Sequence, residues 1–217
     1  MREAYHDQLE TILEDLVTMT RAVRQATQLA TDALMSADAA EAERVIAGDA
    51  AVDTMREQIE ESSFELLARQ QPVAGDLRML VAALRMVADL ERMGDLAVHI
   101  AKVARLRYPD PAIPPVMEGT IRQMAEVAEV MVSTAAHVVE TRDVDAAMRL
   151  EARDEEMDQL RRQSFRTLLG DEWKDGIEPA VDIALLGRYY ERIADHAVSM
   201  GRRVVYLVTG EHPAPTA

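Results

Sequence analysis

An internal repeat constrains this chain more than any other feature. Shifting Leu80–Lys102 by 100 positions lays it on Ala180–Arg202. Glu91, Arg92 and Asp95 then fall on Glu191, Arg192 and Asp195, and Ala97-Val98 falls on Ala197-Val198. The candidate core positions superpose as well. Ala83, Val87, Leu90, Gly94, Ala97, Ala101 and Ala104 keep a 4,3 spacing that Ile183, Gly187, Tyr190, Ala194, Ala197, Gly201 and Val204 share. Residues at that spacing form one stripe of an α-helix, and small residues in the stripe let a neighbouring helix approach closely. At a shift of 105, Asp49 and Asp53 fall on Asp154 and Asp158, the difference of five lying in the loops between. The repeat predicts an all-α fold of six long helices in two pseudo-symmetric three-helix bundles.

Proline and glycine cluster at the breaks between helical patterns. The first helix is predicted from about Tyr5 to Met35, with Ser36-Ala37-Asp38 as a short break and Asp38 as a candidate cap for the second, Ala39 to Gln70. Gln71 to Gly75 is a further break, and Asp76 reads as the N-cap of a third helix from Leu77 to Tyr108. Pro109, Pro111, Pro114 and Pro115 stand within seven residues, and a helix interior does not tolerate them. The expected organisation is therefore a first three-helix repeat over 1–108, a proline-rich linker over 109–115, a second three-helix repeat over 116–210 and a flexible tail over 211–217. Within the second repeat the helices are expected from Val116 to Thr141, from Val144 to Leu169 and, after a loop from Gly170 to Glu178, from Pro179 to about Val208. Pro179 reads as a first helical residue, and Thr209-Gly210 as the stop.

Composition narrows the function classes. Apolar residues make up 48% of the 217, enough for a real core, while aromatics are only 4%. An all-β fold depends on aromatic and β-branched residues and frequent turns, so it is nearly excluded. Thirty-nine acidic against 24 basic residues give a net charge of −15. That balance opposes a nucleic-acid scaffold and direct adsorption to anionic lipid. The chain has no Cys, which removes disulfides, thiolate metal sites and Cys nucleophiles. Met1-Arg2-Glu3 opens a charged segment rather than a signal peptide, and the longest charge-free stretch, Val130 to Val139, is too short to span a bilayer. The expected location is the cytoplasm, with any membrane contact made through a protein partner.

Four carboxylate pairs are spaced i, i+4: Asp49/Asp53, Glu91/Asp95, Asp154/Asp158 and Glu191/Asp195. Residues four apart share one helix face, where like charges weaken the helix slightly. A single such pair reads as a solvated face. Repetition in phase on corresponding helices raises metal binding to an equal reading. Glu91 and Asp95 each follow a seam residue by one position and so sit at the edge of the packed face. If the preceding helix faces them with Asp49 and Asp53, four carboxylates converge, and such a cluster takes up protons or binds a cation. Oxygen-only ligands favour Mg²⁺, Ca²⁺, Mn²⁺ or iron over Zn²⁺. His99, four residues past Asp95, is a candidate extra ligand, and its counterpart Ser199 is not. Arg92 and Arg192 read as ion-pair partners of these carboxylates.

Other motifs are weak. No phosphate-binding glycine loop, G-x-S-x-G elbow or H-E-x-x-H is found. The one Glu-x-x-His pair, Glu3/His6, lies at the N-terminus rather than in a bundle core. The 13 Met read as core filler, and Trp173 as a hydrophobic plug. No nucleophile stands beside a base, so no catalytic residue is assigned.

The segment Leu67-Ala68-Arg69-Gln70-Gln71-Pro72-Val73-Ala74-Gly75-Asp76-Leu77-Arg78, followed by Leu90-Glu91-Arg92-Met93-Gly94-Asp95, resembles the PhoU family of the bacterial phosphate-specific transport system. Tyr190-Glu191-Arg192-Ile193-Ala194-Asp195-His196 and the ending Val208-Thr209-Gly210 extend the resemblance, which runs from about Tyr5 to Gly210. Ala194 departs from the glycine usual in the second E-R-x-G-D, and its small size preserves the seam. The resemblance implies two symmetry-related three-helix bundles. It implies metal binding by the E/D-x-x-x-D motifs, matched here by Asp49, Asp53, Glu91, Asp95, Asp154, Asp158, Glu191 and Asp195. The ion is divalent or trivalent, among Mg, Mn, Fe, Zn and Ca. It further implies a homodimeric negative regulator of the phosphate-starvation response that connects the ATPase subunit of the phosphate ABC importer to a sensor histidine kinase. The expectation is a cytoplasmic adaptor and not an enzyme; the competing readings are a metal-storage or metal-dependent hydrolytic bundle and a structural adaptor with empty sites.

Overall fold

Among the described residues six helices account for nearly all of the backbone. The computed structural model describes residues 2–171 and 173–211. They form α1 (Arg2–Ser36), α2 (Ala39–Gln70), α3 (Ala74–Arg107), α4 (Pro115–Thr141), α5 (Val144–Leu168) and α6 (Ile177–Thr209). Of the expected tail, residues 212–217 lie outside the described residues, as does the side chain of Glu3.

Within the first half α1, α2 and α3 pack on one another, and within the second α4, α5 and α6 do the same. The halves meet where a helix touches its own equivalent, α1 against α4 and α3 against α6. Ion pairs from Arg107 of α3 to Asp182 of α6, and from Arg203 of α6 to Asp89 of α3, show that α3 and α6 run antiparallel. The outer helices α2 and α5 each pack only within their own half among the described residues. This follows from their sequences: α3 and α6 bury residues along most of their length, whereas α2 and α5 bury one narrow stripe each.

The predicted stripe is the seam. Ala83, Val87, Leu90, Gly94, Ala97, Ala101 and Ala104 are all buried, as are Ile183, Gly187, Tyr190, Ala194, Ala197, Gly201 and Val204. Their small size has a visible purpose at two points. A Cβ on Gly94 would stand 3.3 Å from Val52 Cγ1, and one on Gly201 would stand 2.8 Å from Leu150 Cδ1 and 3.3 Å from the Ala147 carbonyl. Met19, Met86, Met93, Met117, Met124, Met131, Met157 and Met200 are fully buried and fill the core between the helices. The buried Tyr190 hydroxyl meets Thr31 Oγ1 at 2.8 Å. The Trp173 N–H donates to the Gly176 carbonyl at 2.8 Å, which closes the α5–α6 loop over the core.

Local chemistry explains the helix ends. Asp38 caps α2, its Oδ1 accepting from the N–H groups of Ala40 and Glu41 at 2.9 Å. Asp143, its equivalent at a shift of 105, caps α5 through Ala146 N–H at 2.9 Å, and that bond holds its carboxyl below the ordinary range. Gly210 ends α6 at φ 77°. Three expectations are corrected. Helix α3 starts at Ala74 with extended Val73 before it, so Asp76 lies in the first turn rather than capping it. Helix α6 starts at Ile177 after Gly176 at φ 87°, placing Pro179 third. In both cases the apparent breakers, Gly75 and Pro179, fall in a first turn, where backbone N–H groups have no intrahelical acceptor to lose. Pro115, read as linker, is the first residue of α4. The remaining linker is not loose, because Ala112 and Ile113 are buried. Among the described residues no helix is long and apolar enough to cross a membrane.

Candidate metal-binding carboxylate faces

The α2–α3 and α5–α6 interfaces each present four of the eight singled-out carboxylates. On the first, Asp49 and Asp53 of α2 face Glu91 and Asp95 of α3. Asp49 Oδ1 lies close over Gly94, 3.7 Å from where a Cβ would stand. Glycine at this position thus brings the outer helix and its aspartate near the α3 pair. Burial, then the charges of Asp95 and Asp53, hold Asp49 above the usual carboxylate range against the opposing pull of Lys102 and His99. Burial, then Asp95, does the same to Glu91. On the second interface Asp154 and Asp158 of α5 face Glu191 and Asp195 of α6. Asp154 is pushed up to about 6, first by burial and then by Asp195, Asp158 and Glu191. Burial at the rim of a helix seam, with like charges gathered there, produces this shift.

Arginines share both faces. Arg92 reaches Asp95 at 3.1 Å and Glu91 at 3.4 Å, and Arg56 approaches Asp53 at 3.7 Å. Arg192 reaches Asp195 at 3.3 Å. Glu191, which is buried, is held on both oxygens: Arg161 meets Oε1 at 2.8 Å and Arg188 meets Oε2 at 2.5 Å. His99 is exposed. Its Nδ1–H donates to the Asp95 carbonyl at 2.6 Å, and its ring tilts against Tyr189 with centroids 5.4 Å apart. The donor set suits a hard cation, being oxygen-rich, with Asp154 and Asp49 in none of the ion pairs among the described residues. It is not drawn into a closed cage: among the described residues no three His, Asp or Glu side chains converge tightly enough to grip one ion.

Two groups of residues were missed in the sequence reading. Arg56 and Arg161 are equivalents at the same shift of 105 that aligns the aspartates, so D-x-x-x-D-x-x-R is the repeated unit. Extending that alignment by one helical turn would have found them. The other group spans the halves. Asp89, buried in α3, accepts from His196 Nδ1 at 3.0 Å and from Arg203 Nε at 3.0 Å, both on α6. Asp182, buried in α6, accepts from Arg107 Nε at 2.6 Å, and Arg107 also reaches Glu178 at 2.9 Å. These pairs have no counterpart under the repeat, which puts Tyr189 opposite Asp89 and Ala82 opposite Asp182. No periodicity announces them.

Comparison with known proteins agrees with this architecture. The model of the PhoU domain matches twice, at residues 16–104 and 121–204. The chain is 46% identical over 213 residues to the phosphate-specific transport system accessory protein PhoU homolog 2 of Mycobacterium tuberculosis, covering 98% of this chain and 100% of that one. The crystal structure of PhoU from Pseudomonas aeruginosa superposes with a TM-score of 0.90 at 30% identity, covering 95% of this chain and 100% of that one. The structure of the phosphate transport system regulatory protein PhoU from Streptococcus pneumoniae does so with a TM-score of 0.87 at 25% identity, covering 97% and 99%.

Proposed function

This chain belongs to the PhoU family, and on that premise we propose that it is an accessory protein of a phosphate-specific transport system and a negative regulator of the phosphate-starvation response. It acts as a cytoplasmic, non-enzymatic adaptor between the importer's ATPase subunit and a sensor histidine kinase, and it works as a homodimer. The observation that carries the reading is likeness along essentially the full chain, both halves included, to a named transport-system accessory protein.

The fold suits an adaptor. Two equivalent carboxylate faces lie outward along α2–α3 and α5–α6, supported by a continuous core. Signalling requires different affinities for the partner's states, since a ligand that binds both states equally shifts neither. Asp49, Asp53, Glu91 and Asp95 on one face, and Asp154, Asp158, Glu191 and Asp195 on the other, would hold a divalent or trivalent metal ion. The ion would supply positive charge to carboxylates that burial and mutual repulsion now hold toward protonation. The arginines of both faces hold the same oxygens in ion pairs, and Asp89 and Asp182 fix the helices that present them.

The test is a phosphate-starvation reporter in a strain deleted for this gene and any close paralogue, grown in high phosphate. The deletion is expected to leave the reporter on, and the wild-type gene to switch it off. A reporter that stays off in the deletion strain overturns the regulatory role. Complementation by the combined variant Glu91→Gln, Asp95→Asn, Glu191→Gln and Asp195→Asn is expected to fail while the protein still accumulates, and full complementation would overturn a signalling role for the carboxylate faces.

A further inference from the structure

The N-terminal half of α3 and the C-terminal half of α6 enclose a cavity of about 470 Å³. Four arginines line it, Arg78 and Arg85 from α3 and Arg202 and Arg203 from α6. This is a concentration of positive charge on a chain whose net charge is −15. The Ser199 and Tyr206 side chains add hydroxyl groups, and Leu77, Val81 and Ala82 form an apolar wall.

The repeat supplies its own control. A shift of 100 carries Arg78, Arg85 and Tyr206 onto Glu178, Leu185 and Leu106, and it relates Arg203 to Val103 and Ser199 to His99; of the four arginines only Arg202 has a basic equivalent, Lys102. At that equivalent position the acidic Asp182 and Glu178 are neutralised by Arg107. At one end of the α3–α6 seam the carboxylates are thus matched by Arg107, while at the other Arg202 and Arg203 are matched by Glu151 and Asp89 and leave Arg78 and Arg85 as added positive charge, although both ends descend from the same helical pattern. The basic end is not a requirement of the fold.

The arginines are differently committed. Arg203 is oriented by buried Asp89, with contacts of 3.0 and 2.9 Å, and Arg202 by Glu151 at 2.8 Å. A guanidinium has five N–H donors, so the Asp89 contact uses only part of those on Arg203. Arg78 and Arg85 are exposed and enter none of the ion pairs among the described residues. Two anchored and two uncommitted guanidinium groups around one concavity suit a phosphoryl group, whose oxygens match the planar fork. The cavity is within the size range of small-molecule sites. A lone phosphate would leave most of it empty, while the apolar wall and the Tyr206 ring suit the flat ring of a base.

We propose that this α3–α6 pocket is a binding site for a phosphorylated small molecule of nucleotide size. The site is separate from the carboxylate faces, and its existence does not depend on the regulatory reading above. Because Arg203 also bonds Asp89, a bound phosphoryl group bears directly on the contact that joins the two halves.

The test is isothermal titration calorimetry on the full-length protein, at physiological salt and with chelator present to keep metal from the carboxylate faces. ATP, pyrophosphate, inorganic phosphate and sulfate are titrated separately. Saturable binding of one ATP per chain is expected, at least tenfold tighter than inorganic phosphate or sulfate. The variant Arg78→Gln/Arg85→Gln, exposed at both positions, is expected to keep its melting temperature and lose at least tenfold in ATP affinity. Absence of saturable ATP binding overturns the proposal, as does ATP binding that the double variant leaves unchanged. Inorganic phosphate or sulfate binding as tightly as ATP would also overturn it, since the pocket would then select only a small oxyanion.

Discussion

Asp154 shows how a single side chain reports on the face around it. In the unfolded chain its carboxyl ionises near 3.8, and in the folded protein at about 6. The folded state therefore holds the proton more tightly, so the ionised form costs stability. That cost is fully present above about pH 6 and is relieved as the pH falls through 6 toward 3.8. Replacing the carboxylate by an amide removes the cost of burying its charge and the repulsion from Asp195, Asp158 and Glu191. In chelator at pH 7.5, Asp154→Asn is expected to stabilise the protein by about 0.5–1 kcal/mol after allowance for solvent screening. That corresponds to a rise of about 1–4 °C in melting temperature. At pH 5 the gain should shrink, because the wild-type group is then largely protonated. Melting curves of both proteins at the two pH values check this, and a gain that grows toward pH 5 would contradict it.

Along the elements, the glycines separate into those that make room and those that do not. Gly201 in α6 is pressed by Leu150 and by the backbone of Ala147, whereas Gly48, in the interior of α2, has nothing within 4 Å of an added Cβ. Gly201→Val is expected to cost about 1–3 kcal/mol by overpacking the α5–α6 contact. Gly48→Ala should stabilise by about 0.5–1 kcal/mol, because alanine has less backbone freedom to lose in a helix. Urea unfolding of the two variants measures both signs. The helices themselves were legible in the sequence because their causes are local: apolar periodicity, Asp38 before α2 and Gly210 after α6. The starts of α3 and α6 were misplaced by a few residues. Gly75 and Pro179 look like breakers, and only the observed backbone shows them inside a first turn.

For the whole molecule, the decisive contacts are those between the halves. Asp89 is buried and binds both His196 and Arg203. Asp89→Ala leaves those partners without their carboxylate at the α3–α6 seam and is expected to destabilise by about 2–4 kcal/mol. The melting temperature should fall by about 5–15 °C. By contrast Arg24→Ala, which breaks the exposed pair with Glu129 at the α1–α4 contact, should change stability by no more than about 0.5 kcal/mol. Thermal unfolding of the two variants side by side tests the distinction, and equal losses would refute it. The carboxylate faces were half legible at this scale. All eight residues could be named from spacing and repetition, and Arg188 lies one turn before Glu191 on the same helix, but the pairing of Arg161 of α5 with Glu191 of α6 crosses a helix interface, and spacing within one helix does not give it.

What the sequence determined alone was whatever repeats or acts locally: six helices, the seam of small residues, and four carboxylate pairs at matched positions. Each depends on neighbours within one or two helical turns, so the order of residues is enough to specify it. The tertiary structure decided what meets across the seam. Antiparallel packing of α3 on α6 places Arg78 and Arg85 beside Arg202 and Arg203, and Asp89 beside His196, more than 100 positions away. It also gathers residues in which the two repeats differ, Arg78 against Glu178 and Arg85 against Leu185, so that Arg78 and Arg85 line one end of the seam while Glu178 pairs with Arg107 at the other. The physical reason is that charge acts through space rather than along the chain, so its consequences exist only once the helices are packed.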